Sequence, residues 1–228
     1  MSMSYPAPAM SQGRDEDLLI SIAAIVLPGS IERDANDNRL RIKVEGSPKE
    51  NPDIASVAAG TFQTLLGILR VLRVDAGVLE EELRAGLGAG SARDEAGNHY
   101  VMVEAARLHS ISGGEVEGFS EVVRAAIDNS QRLSNALWLN GSTNRTAPAY
   151  YMIYELAEME FDGPNGLRDA LAISPKDQDR FTHSANRLSP IEGGRHAKQT
   201  GSAPWGLAEM RGFSADLLRR WIDHAASK

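Results

Sequence analysis

Apolar side chains along this 228-residue chain follow two different periods, and the change between them limits the folds open to it. Leu40, Ile42 and Val44 alternate with charged residues, which is the period of a strand with one buried face. From Val116 onward, apolar residues recur at the three- and four-residue spacings of amphipathic helices. The sequence therefore predicts an α+β protein, with a small amino-terminal β-hairpin or sheet and a packed helix, followed by a carboxy-terminal helical bundle.

Composition and pattern divide the chain into three regions. Residues 1–16 are rich in Ser, Pro, Ala and Gly, which predicts a disordered tail. Residues 17–113 form a small α/β half, and residues 114–228 form a helical half that begins at a glycine pair. Because no long linker separates the two halves, they could also share one core.

The first half contains a predicted hairpin and a helix. The apolar run over residues 18–27 predicts a buried strand, although a run this short is also compatible with a helix. A Pro-Gly turn at residues 28–29 follows it, and we expect it to pair with the strand over residues 40–44. A capped, amphipathic helix is predicted over residues 53–74, and a further strand over residues 100–105.

The second half is predicted to be helical throughout. Its apolar spacing indicates one long helix over residues 116–133 and a short one over residues 167–173. A helix over residues 147–161 is apolar on most sides, so we expect it to be central. Ser174 before a proline marks another helix start, and the last helix covers residues 207–226.

Charge and composition exclude several classes of protein. A net charge of −7 and a pI near 5.3 argue against a general binder of nucleic acid or anionic membranes. The absence of cysteine excludes disulfides, thiolate metal sites and cysteine nucleophiles, and fits a cytoplasmic location. The apolar run over residues 18–27 is too short to span a bilayer and follows acidic residues, unlike a signal peptide.

A local basic segment over residues 180–198 stands out from this acidic background. Arg180, His183 and Arg187 recur at helical spacing, and a glycine pair at 193–194 lets the chain turn afterwards. The candidate anion-binding residues are Arg180, His183, Asn186, Arg187, Arg195, His196 and Lys198. Two alternatives stay open: these side chains can satisfy helix ends and bridge helices, or a histidine can act as a general base.

Four acidic residues on and after the predicted central helix bear on that choice: Glu155, Glu158, Glu160 and Asp162. Glu155 and Glu158 are three residues apart and could pair with Arg187 or Arg195 across a helix interface. A solvated acidic face and acid–base chemistry are the other interpretations.

The spacing of possible ligands predicts no metal. His183 and His196 are thirteen residues apart without a neighbouring cysteine or carboxylate pair, which does not suit zinc. Four residues follow part of a calcium-loop pattern: Asp34, Asn36, Asn38 and Glu45. Arg39 occupies the position that requires glycine, so the pattern favours a polar turn. We expect neither a metal nor another cofactor.

Two resemblances add to these observations. Asn186, the Gly193-to-Ala197 segment and the final helix resemble the carboxy-terminal region of uncharacterised bacterial proteins, over about residues 150–226. The helical half is more distantly similar to HEPN domains, helical modules of bacterial defence and toxin systems, some of which cut RNA without a metal. Their signature is an Arg, a following polar residue and a His after four to six further positions. The resemblance implies a ribonuclease pair at Arg219 and His224, with Arg220 at the polar position.

Three functions follow from the sequence. The first is a non-catalytic binding or assembly module that recognises an acidic protein or a phosphate-bearing ligand through the basic segment. The second is a HEPN-like, metal-independent ribonuclease, and the third is a purely structural subunit of a homo-oligomer. The first depends on the cations remaining exposed and unpaired in the folded protein.

Overall fold

The computed structural model describes residues 2–6, 13–35, 40–45, 53–75, 89–93, 99–103, 113–142, 146–188 and 204–228. Eight helices lie in these ranges: α1 (Gly13–Val26), α2 (Ile54–Asp75), α3 (Gly113–Asn129), α4 (Gln131–Gly141), α5 (Ala147–Glu160), α6 (Pro164–Leu171), α7 (Pro175–Arg187) and α8 (Leu207–Ala226). The strands there are β1 (Ser2–Pro6), β2 (Ile31–Arg33), β3 (Leu40–Glu45), β4 (Ala89–Arg93) and β5 (His99–Val103). This mostly helical architecture with small antiparallel sheets confirms the predicted α+β class.

The amino-terminal sheet is built around β3, which pairs antiparallel with β1 on one side and β2 on the other. Ile42 lies opposite Tyr5 of β1 and Ile31 of β2. Leu40 and Ile42 are buried while Arg41 between them is half-buried, so the predicted alternation is confirmed at these positions, whereas Val44 is half-buried like Lys43. A separate hairpin of β4 and β5 contains the strand predicted near residue 100.

The predicted strand over residues 18–27 is wrong, because these residues belong to α1 and the turn that follows it. Leu19, Ile22, Ala23 and Val26 are all buried, and their spacing of three and four residues places them on one side of a helix. Leu18 and Ile20 beside them are only half-buried. The hairpin partner of β3 is therefore β2, the short strand after α1.

The predicted turn at residues 28–29 is confirmed. Ser30 N donates to Leu27 O at 3.1 Å, and Gly29 has a φ of 77°. Proline at the second position and a left-handed glycine at the third define a type II turn, which only glycine adopts without strain.

Part of the segment 1–16 has regular structure, although its composition predicts a disordered tail. β1 pairs along β3, and α1 begins at Gly13. Arg33 of β2 forms two ion pairs with the start of α1, one with Glu16 at 2.9 Å and one with Asp17 at 2.8 Å. Partners from elsewhere in the chain thus hold residues in regular structure, although their own composition favours disorder.

The single long helix predicted over residues 116–133 is wrong, because Ser130 divides it into α3 and α4. Ser130 is extended, and its hydroxyl accepts from Leu133 N at 3.1 Å, which is the geometry of a helix N-cap. The predictions for α2, the start of α7 at Pro175 and α8 are confirmed within a residue or two.

One hydrophobic core contains residues from both halves of the chain. Leu65 of α2 is buried with Leu137 of α4 and Trp221 of α8. The predicted central helix α5 contributes to this core, but its outward face carries Met152 and Met159, which are exposed. It is therefore amphipathic, rather than apolar on most sides.

Candidate anion-binding face

The inner side of α7 anchors it to the bundle. Phe181 is fully buried and stacks on Phe213 of α8, with ring centroids 4.6 Å apart. It also contacts Tyr151 and Tyr154 of α5. Ser184 is buried beside it and accepts a hydrogen bond from Trp205 N at 2.8 Å, so the chain before α8 lies against α7.

The opposite side of α7 carries four basic residues: Lys176, Arg180, His183 and Arg187. Their spacings of four, three and four residues place them along one face, which we call the basic face. Arg187 is half-buried, and the other three residues are exposed. Lys176 is not among the residues predicted from the sequence, although the same helical spacing extended by one turn identifies it.

The basic side chains of this face have no ion-pair partner among the described residues. None of the four side chains forms an ion pair or hydrogen bond with another described residue. Asp177 and Asp179, which neighbour Arg180 and His183 at helical spacing, also form no ion pair with them. The positive charge therefore faces solvent without a partner from the described part of the protein.

The acidic residues predicted to neutralise this charge are oriented elsewhere. Glu158 accepts a 2.5 Å hydrogen bond from the Tyr154 hydroxyl, and Glu160 pairs with Arg132 at 3.2 Å. Glu155 is exposed on the outer side of α5. The predicted pairing of Glu155 or Glu158 with Arg187 is thus not found, and the alternative pairing with Arg195 lies outside the described residues. The exposed Glu155 fits the solvated interpretation.

The remaining predicted residues divide into two groups. Asn186 Nδ2 donates to Thr182 O at 3.0 Å, so this amide is bonded back to its own helix rather than aligned with the basic face. Arg195, His196 and Lys198 lie outside the described residues. Whether they join the basic face stays a prediction.

The residues implied by the HEPN resemblance lie on different sides of α8. Arg219 pairs with Asp223 at 3.2 Å, as their four-residue spacing predicts, and its guanidinium lies 5.1 Å from the Phe119 ring centroid. His224 packs edge-on against Phe161 of the α5 end, at 5.2 Å between centroids. Five residues correspond to about 140° around a helix, so the two side chains do not share a face.

A buried polar network, which the sequence did not predict, holds α7 in place. Arg168 donates to Gln178 Oε1 at 3.1 Å, and Gln178 Nε2 donates to the Tyr154 hydroxyl at 2.6 Å. Tyr154 in turn donates to Glu158, so one chain of hydrogen bonds joins α5, α6 and α7. The sequence feature that could have indicated this network is Gln178 itself, because the other inner positions of α7 carry apolar or small residues.

This network also explains the orientation of the basic face. Gln178 is 3 % exposed and points toward the core, which turns the side chains at positions 176, 180, 183 and 187 outward. Burial, reinforced by the hydrogen bond to Glu158, raises the pKa of Tyr154, so this hydroxyl remains a donor at neutral pH.

Two absences within the described ranges bear on the chemistry. No group of three or more His, Cys, Asp or Glu side chains is arranged to hold a metal ion there. No helix in the same ranges combines the length and the apolar character needed to cross a membrane.

Comparison of the chain with protein-family models, curated proteins and solved structures gives no match. Its function therefore has to be inferred from the geometry of the chain itself.

Proposed function

We propose that this protein is a non-catalytic binding module that holds an acidic or phosphate-bearing partner on the basic face of α7. The supporting observation is that four basic side chains share this face without an ion pair to any described residue. Guanidinium groups such as those of Arg180 and Arg187 bind carboxylate and phosphate oxygens through paired N–H donors.

The length of the face indicates the kind of anion that suits it. At 1.5 Å per helical residue, Lys176 and Arg187 are separated by about 16 Å along α7. A single small ion contacts only one or two of these groups, whereas a run of phosphates or carboxylates contacts all of them. Since the chain as a whole is acidic, we expect this local attraction to weaken strongly with salt.

Titration at low salt tests the proposal, with inorganic tripolyphosphate and a polyglutamate peptide as probes. Removing both guanidinium groups in the Arg180→Ala, Arg187→Ala variant is expected to weaken binding of either probe about tenfold or more. The control is Arg132→Ala with Lys228→Ala, which removes the same charge at exposed sites off the basic face but also breaks the ion pair between Arg132 and Glu160. Equal loss in both variants, or none in the first, contradicts the proposal.

The other two sequence-based functions have separate readouts. RNA cleavage in the presence of a chelator, abolished by His224→Ala, would replace binding with the HEPN-like ribonuclease. A stable multimer in light scattering, with no binding of either probe, would instead favour the structural subunit.

A further inference from the structure

We infer that a cleft between α1 and α3 binds a small uncharged molecule with an apolar body and one hydrogen-bonding head group. This α1–α3 cleft has a volume of about 510 Å³, and its walls are the turn after α1, β3, α2 and α3. Sites for small molecules have volumes of roughly 300–1,000 Å³ and are mostly apolar, with a few placed polar groups. The inference is independent of the basic face.

The apolar part of the cleft comes from both sides of its opening. Its lining includes Val26, Leu27, Pro28, Val44 and Ile127. Val26 is buried, and Leu27, Val44 and Ile127 are half-buried, so apolar surface remains in contact with water inside a concave site. The type II turn holds Leu27 and Pro28 in position at one wall. Covering this surface with an apolar ligand is favourable.

The charged groups at the cleft are already matched. Arg124 Nε pairs with Asp128 at 3.0 Å, and Arg124 Nη1 also donates to Val26 O at 3.4 Å. Lys43 Nζ pairs with Glu32 at 2.5 Å. An anionic ligand would have to compete with Asp128 or Glu32 for these cations, and a cationic ligand would have to displace the cations themselves. Because both ion pairs are exposed, each contributes little free energy, so the pairing gives an uncharged molecule a modest preference.

Two hydroxyl groups are the uncharged polar side chains of the lining. Thr61 Oγ1 donates to Val57 O at 3.0 Å, which leaves its oxygen lone pairs available to accept. Ser30 Oγ is buried and makes no hydrogen bond to any described protein group. The Thr61 hydroxyl therefore suits a ligand that carries a single O–H or N–H group.

Three probes share one apolar body and differ in the head group: 4-propylphenol, propylbenzene and 4-propylbenzoate. Comparing them separates the effect of the apolar body from those of the hydrogen bond and the charge. The phenol is uncharged at neutral pH, propylbenzene lacks the head group, and the benzoate carries a negative charge. Each is titrated into the full chain while the amide NMR signals of Ser30, Thr61 and Ile127 are followed. We expect saturable shifts with the phenol and a roughly three- to tenfold weaker affinity for propylbenzene, as one hydrogen bond predicts.

We expect the benzoate to bind more weakly than either uncharged probe. Two results overturn the inference. The first is an absence of saturable shifts with the phenol, and the second is a benzoate that binds at least as tightly as the phenol.

Substitutions locate the head group. Thr61→Val with Ser30→Ala keeps the shape of the cleft but removes both hydroxyls, so the phenol is expected to bind no better than propylbenzene. The matched control is Thr182→Val with Ser21→Ala, since each of these hydroxyls bonds a carbonyl four residues earlier and is absent from the cleft lining. If 4-propylphenol still binds the Thr61→Val, Ser30→Ala variant more tightly than propylbenzene by the same factor as in the parent, these hydroxyls do not bind the head group.

Discussion

Gly67 of α2 and Gly141 of α4 touch where their helices cross: a Cβ built on either glycine would lie within 3.0 Å of the backbone nitrogen of the other. The same Cβ atoms would overlap the carbonyl oxygens of Leu137 and Gln63. Backbone contact this close lets Asn140 Nδ2 donate to Gly67 O at 2.9 Å. Since α2 belongs to the first half of the chain and α4 to the second, this crossing joins the two halves.

Alanine at Gly67 or Gly141 is therefore expected to force the two helices apart. The added methyl group meets backbone atoms, which cannot rotate away, so we expect each substitution to lower the free energy of unfolding by about 2–3 kcal/mol. Denaturant unfolding measures the effect. Gly118→Ala on the open side of α3 is the control, and it should instead stabilise the protein by about 0.5–1 kcal/mol. Similar effects at all three glycines would contradict the close crossing.

The division between α3 and α4 gives a second prediction. Ser130→Ala removes the side-chain oxygen that accepts from Leu133 N, so we expect a loss of about 1 kcal/mol in the free energy of unfolding. Ser134→Ala, within the first turns of α4, removes a hydroxyl without a described bond and should change stability by less than about 0.5 kcal/mol. Equal losses would show that Ser130 is not acting as a cap.

The basic face should be dispensable for folding. Arg180→Ala with Arg187→Ala removes no described ion pair, so we expect the free energy of unfolding to change by less than about 0.5 kcal/mol in thermal or denaturant unfolding. Arg168→Ala is the contrasting variant, because it deprives the buried Gln178 carbonyl of its donor and is expected to cost about 1–3 kcal/mol. A large loss in the double variant would assign the basic face a structural role and weaken the binding proposal.

Alkaline pH should destabilise the protein through Tyr154. Burial raises the pKa of this hydroxyl in the folded state above the unfolded value of about 10. The protonated form is thus favoured by folding, and this contribution is complete below about pH 10 and is lost as the pH rises beyond it.

Urea unfolding from neutral pH to about pH 11 tests this dependence with Tyr154→Phe. The variant should be less stable near neutral pH by about 1–3 kcal/mol, since Glu158 and Gln178 lose their hydrogen-bond partner. Its stability should also fall less steeply above about pH 10 than that of the parent. Identical slopes in the two proteins would show that Tyr154 titrates normally.

Much of the framework could be predicted because its signals are local. The alternation at Leu40 and Ile42 marked β3, and the spacing of Arg180, His183 and Arg187 placed three basic residues on one helix face. These patterns depend only on the periods of a strand and a helix, which are the same in every protein.

What the sequence by itself determined is therefore the class of the fold, most of its helices and three of the four residues of the basic face. The tertiary structure decided which face of α1 is buried, because a run that is apolar at almost every position has no period until neighbours cover one side. It also decided that Gln178 of α7 donates to the Tyr154 hydroxyl of α5, 24 residues earlier in the chain. That choice depends on which groups are brought within 3 Å in a dry interior, and residues far apart in the chain meet there only after folding.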